Sequence, residues 1–102
     1  MYSARDERDN ADWLAELESA ADRLALGTEA RSCARDIFLS AVPPQDRSKP
    51  AAVAGALYVG ALISGDQRSQ SAVADAVGVS RLAVQKRWKQ LLENAGLEAP
   101  SW

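Results

Sequence analysis

Residues 68–92 read RSQSAVADAVGVSRLAVQKRWKQLL, and they decide the fold. A serine cap, a short alanine-rich stretch, a Gly-Val-Ser turn and a basic stretch spell two helices joined tightly, a helix-turn-helix. Ser69 caps a helix over 70–77, Gly78 takes the left-handed conformation of the turn, Val79 packs beneath it, and Ser80 caps a second helix over 80–94. On a wheel at ~100° per residue, Val84, Trp88, Leu91 and Ala95 share one face and form core. Leu82, Lys86 and Lys89 lie opposite, with Gln85 on a shoulder and Arg81 near the helix start. Trp88 is core rather than a stacking platform, because it coincides with Val84 and Leu91.

Upstream, the same periodicity gives three more helices. The first covers about 11–26, with Trp13, Leu14, Leu17, Ala21 and Leu24 on a buried face and Gly27 as its stop. Thr28 is positioned to cap the second, about 29–42, which buries Ala30, Cys33, Ala34, Ile37, Phe38 and Ala41 before Pro43 and Pro44 end it. Ser48 and Pro50 open the third, whose run AAVAGALYVGALISG is apolar almost all round and so belongs in the middle of a bundle. Small residues Ala52, Ala56, Gly60 and Ala61 let neighbouring helices come close, Val53, Leu57 and Ile63 fill the gaps, and Gly65 ends the helix. Tyr58 is core with its hydroxyl at the edge. No alternating strand pattern is present. The expected organisation is a flexible tail over 1–10, one all-α five-helix domain over 11–97 stopped by Gly96, and a short tail over 98–102.

The net charge of -2 hides an uneven distribution. Residues 1–46 hold five arginines against ten acids, a net of -5, whereas residues 47–102 hold seven basic residues against four acids, a net of +3. Between Ser80 and Leu92 stand Arg81, Lys86, Arg87 and Lys89 with no acid. Phosphate attraction acts over a Debye length of ~10 Å, so this local excess, not the total, decides whether nucleic acid can be held. Arg68, Ser69 and Gln70 at the N-terminal end of the first helix of the pair are placed to position a phosphate. Arg81, Leu82, Gln85, Lys86 and Lys89 are placed to enter a groove, where glutamine pairs with adenine and leucine meets a thymine methyl. The bland alternative is a solvated basic face.

Other chemistry is excluded by what is missing. The chain has no histidine and one cysteine, Cys33, which removes the usual metal ligands and the usual general base near neutral pH. The glycines lack phosphate-loop spacing. No cofactor, no metal and no enzymatic activity are expected. Asp12, Glu16, Glu18 and Asp22 on the first helix read as a solvated surface rather than a carboxylate site. The amino-terminal residues lack the apolar stretch of a signal peptide, so a cytoplasmic protein without a membrane partner is expected.

Residues 12–97 as a whole resemble one cyclin-like repeat of the transcription factor IIB family, the archaeal transcription factor B in particular. KPAAVAGALYVGAL looks like the family's alanine-rich central helix, and QRSQSAVADAVGVSRLAVQKRWKQLL is more similar to the C-terminal repeat, whose helix-turn-helix contacts the promoter element beside the TATA box. Three lysines against nine arginines, with many alanines and an acidic surface, also look haloarchaeal. Where the family usually has a threonine and a base-contacting arginine, this sequence has Ala83 and Gln85; Leu82 keeps an apolar residue at the neighbouring position. Full-length members carry a zinc ribbon and two repeats, and this chain holds one repeat and no ribbon cysteines, so recruitment of polymerase in the family's manner is not expected. The resemblance implies a DNA-binding transcription regulator or accessory factor. Its expected partners are duplex DNA at promoters, TATA-binding protein or another transcription protein, and a second copy of itself. The alternative is an adaptor of the transcription machinery that uses the fold without touching DNA.

Overall fold

A computed structural model describes residues 8–94. Within them the chain forms α1 (Ala11–Arg23), α2 (Thr28–Ser40), a 3-10 turn (Asp46–Ser48), α3 (Lys49–Ile63), α4 (Gln70–Val77) and α5 (Arg81–Asn94), with no strand among the described residues. The all-α architecture follows the apolar periodicity. Ala95, Gly96 and both outer ends of the expected tails lie outside the described residues, but Asn10 does not: it is buried, and its carbonyl accepts the Leu14 N–H at 2.9 Å.

The central element is α3, which packs against all four other helices. Every residue from Ala52 to Ala61 is buried, so α3 has no polar face and can only be surrounded. Close approach is set by its glycines. A Cβ on Gly60 would stand 2.7 Å from the Ala34 nitrogen and 2.8 Å from the Ala30 carbonyl oxygen, backbone atoms of α2. A Cβ on Gly55 would stand 2.8 Å from Leu91 Cδ1 and 3.1 Å from Arg87 Cβ, side-chain atoms of α5. Above these crossings, Leu17, Phe38, Val53, Leu57, Val59, Val73, Val84 and Trp88 are fully buried, and Tyr58 meets Trp88 edge to face at 5.2 Å between ring centroids.

Several local expectations change. Helix α1 ends at Arg23, and the residue that turns left-handed is Ala25 (φ 54°), not Gly27. The Ala25 N–H donates to the Asp22 carbonyl and the Leu26 N–H to the Ala21 carbonyl, which closes the helix and folds Leu26 into the core. Gly27 is instead the extended residue before α2, and Thr28 is already helical rather than a cap. Ile63, the last residue of α3, is 43% exposed. Trp13, Cys33 and Ala41 are only partly buried against the core.

The two glycine crossings differ in what they can yield. Gly60→Ala drives a methyl into α2 backbone and is expected to destabilise by roughly 1–3 kcal/mol, whereas at Gly55→Ala the Leu91 side chain can move and helix propensity returns up to ~1 kcal/mol. Urea melts should show the Gly60 variant far the weaker; equal midpoints would contradict close backbone packing as the reason for Gly60.

Candidate nucleic-acid interface

The helix-turn-helix forms for the reasons its sequence suggests. The Ala72 N–H donates to Ser69 Oγ at 3.0 Å, capping α4, and the Ala83 N–H donates to Ser80 Oγ at 3.1 Å, capping α5. Gly78 adopts φ 89°, and the N–H groups of Gly78 and Val79 both donate to the Ala74 carbonyl. The turn is thus fixed by one left-handed glycine and two serine caps.

On α5, Val84, Trp88, Leu91 and Leu92 are buried, and Arg81, Leu82, Gln85, Lys86 and Lys89 are exposed. Leu82 is 56% exposed, one of two large apolar residues so open among those described. A groove of about 440 Å³ runs along this surface, lined by Gln70, Leu82, Gln85, Lys86, Trp88 and Lys89. None of the lining residues is acidic. Lys89 Nζ sits 5.6 Å from the centroid of the Trp88 ring, an arrangement that orients the ammonium group beside the groove. Ser69 is exposed at the open end of α4, but its hydroxyl is already accepting the capping bond.

Arg68 is placed differently from the expectation. Its Nε donates to the Leu24 carbonyl at 2.9 Å and its Nη2 to the Ala25 carbonyl at 3.2 Å, while Nη1 reaches the Asp66 carbonyl at 3.0 Å and Asp66 Oδ1 at 2.9 Å. Nε and Nη2 hold the α1–α2 turn, where a non-glycine residue in the left-handed region costs ~1–2 kcal/mol, and Nη1 holds Asp66. Asp66 completes the clasp by accepting the Gly27 N–H at 2.9 Å. A second clasp, absent from the sequence expectations, joins Arg23 Nη1 to the Ala76 carbonyl at 2.8 Å, tying the C-terminal end of α4 to α1. Basic residues near the end of one helix facing the open carbonyls of another are a signal that could have suggested it.

The acids of α1 also divide. Glu18 and Asp22 pair with Arg31 of α2, and Arg31 further donates to the Leu26 carbonyl at 2.9 Å. Asp12 and Glu16 instead line a separate groove of about 400 Å³ with Trp13, Pro50, Val53 and Val77. Among the described residues there is no cluster of three metal-ligating side chains and no helix long and apolar enough to cross a membrane.

Residues 7–94 match a family model, Transcription factor TFIIB repeat. The chain belongs to this family. Among curated relatives, Transcription initiation factor IIB of Pyrococcus abyssi is 34% identical over 83 residues, covering 78% of this chain and 28% of the relative. Transcription initiation factor IIB 1 of Thermococcus kodakarensis gives the same identity and coverage, and Transcription initiation factor IIB 1 of Thermoplasma volcanium is 35% identical over 78 residues. The TFIIB repeat described here therefore spans under a third of the length of these relatives, and it is an all-α cyclin-like repeat.

The clasp has a pH signature. Asp66 is held below the usual carboxylate range, first by the Gly27 N–H and then by Arg68. A carboxyl whose folded value is lowered adds stability that is complete above its unfolded value of ~4 and vanishes as pH falls through the folded value. The gap in urea midpoint between wild type and Asp66→Asn should therefore be widest near about pH 7 and narrow as pH falls below the unfolded value of ~4. A gap that does not change with pH would remove Asp66 from the clasp.

Proposed function

We propose that this TFIIB repeat binds duplex DNA through the outer surface of α4 and α5, as a transcription regulator or accessory factor acting at promoters. The observation that carries this reading is the groove between Gln70 and Lys89, in which two lysines, two glutamines and one exposed leucine converge without a carboxylate. Lysines supply sequence-independent attraction, and the residues of the first turns of α5 face where base edges would lie. Ser69, Gln70, Arg81, Leu82, Gln85, Lys86 and Lys89 make up the proposed interface. Arg68 supports it indirectly, by holding the loop that leads into α4.

A single module covers a small footprint on DNA, ~600–1,000 Å². Useful affinity at promoters then calls for a second copy or a protein partner, and the family resemblance points to TATA-binding protein. An adaptor role without DNA contact is the second reading, favoured by the half-apolar, acid-rimmed groove around Trp13, Asp12 and Glu16.

Duplex binding discriminates the two readings, and reversing both lysines locates it. Lys86→Glu with Lys89→Glu should abolish binding to duplex DNA in fluorescence anisotropy at low salt, and the wild-type affinity should fall steeply as salt rises. Losing the Lys89 contact with Trp88 should lower stability by no more than ~1 kcal/mol, checked by thermal melting. Absence of duplex binding by the wild type would favour the adaptor, and duplex binding that survives the double reversal, or that ignores salt, would overturn the assignment of the contact to this face of α5.

A further inference from the structure

Resting on the proposed DNA interface, we infer that this repeat selects an A·T-containing step in the major groove: Gln85 takes an adenine, and Leu82 takes the methyl of a thymine in the adjoining base pair. Both residues line the same groove. They stand three residues apart on α5, which separates them by ~4.5 Å along the helix axis and ~60° around it. The rise between stacked base pairs is ~3.4 Å, so one side chain per neighbouring pair is the natural register for a helix entering by its N-terminal end.

The chemistry of each position narrows the choice. An amide offers one donor and one acceptor, which matches the adenine N7 acceptor and N6 amino donor; guanine presents two acceptors at those places and leaves the amide oxygen facing a lone pair. Leu82 can contribute only apolar contact, and in the major groove the thymine methyl is the apolar group. Its 56% exposure places desolvation of that surface at the DNA, where it rewards a methyl over a polar edge. Gln70 lines the same groove, and its Oε1 is sealed from solvent without a hydrogen-bond partner. No protein bond is lost when that carbonyl turns to a base amino group, whereas a phosphate oxygen would gain nothing from it. Lys86 and Lys89 follow Leu82 at four and seven residues along α5, on the same side of the helix and in the same groove, where ammonium groups serve flanking phosphates rather than base edges.

The experiment is selection of the full chain on a randomised duplex pool, followed by anisotropy on single duplexes. Wild type should enrich one position for adenine with thymine at the adjoining pair, and replacing that adenine pair by guanine should weaken binding about ten- to a hundredfold. Gln85→Arg should switch that position to guanine and leave the thymine preference in place. Replacing the thymine by deoxyuridine, which removes only the methyl, should weaken wild type several-fold and leave Leu82→Ala unchanged. A wild-type preference for guanine at the first position, or a Gln85→Arg selection identical to wild type, overturns the inference. Binding to the pool without enrichment also overturns it while leaving the DNA interface standing, and no binding to any duplex removes both.

Discussion

The helix packing depends on the crossing of α3 over α2 at Gly60, where a single added methyl would meet backbone. Everything functional is placed by reference to that crossing. With α3 held against α2 on one side, its other side takes α5 at Gly55, and Tyr58 then finds the edge of Trp88. Trp88 cannot rotate outward without opening the core, so the azimuth of α5 is fixed, and with it which residues look away from the protein. The exposure of Leu82, Gln85, Lys86 and Lys89 is in this sense a consequence of small residues two helices away.

The basic residues fall into two populations with different work. Arg23, Arg31 and Arg68 spend their planar, multiply donating groups on carbonyls and carboxylates within the fold, which suits a guanidinium better than an ammonium. Two of them, Arg23 and Arg68, connect α1 and its turn to the helix-turn-helix, so that α4 is anchored at both ends of its length. Arg81, Lys86 and Lys89 are left on the outside. A chain with net charge -2 can thus present a groove lined without carboxylates, because Asp75 of α4 and Glu93 of α5 are not among the residues that line it and part of the acids of α1 are paired with Arg31.

Much of this was legible in the sequence because it depends on short-range rules. Helix faces, the serine caps at Ser69 and Ser80, the left-handed Gly78 and the burial of Trp88 each need only a few neighbouring residues to specify them. What could not be read were features settled at long range. Ala25 adopts a glycine-like conformation because Arg68, more than forty residues away in sequence, holds its turn closed, and Gly27 drew attention only because glycine is the commoner choice. The same distance hid the carbonyl partners of Arg68 in the α1–α2 turn. Ile63 looked like core from its type, but it closes α3 on an exposed side of the helix. The interface residues on α5 were legible as an outward face, and their convergence with Gln70 on one groove needed the packing angle of α4 against α5.

The most direct measurement is a titration of the isotopically labelled chain with a short duplex, following backbone amide shifts by nuclear magnetic resonance at low salt. Perturbations should concentrate on Ser69, Gln70 and the stretch from Arg81 to Lys89, with the clasp residues Arg23, Asp66 and Arg68 nearly silent. Shifts gathered instead around Trp13 and Glu16, or no shifts at all, would contradict DNA contact through α4 and α5.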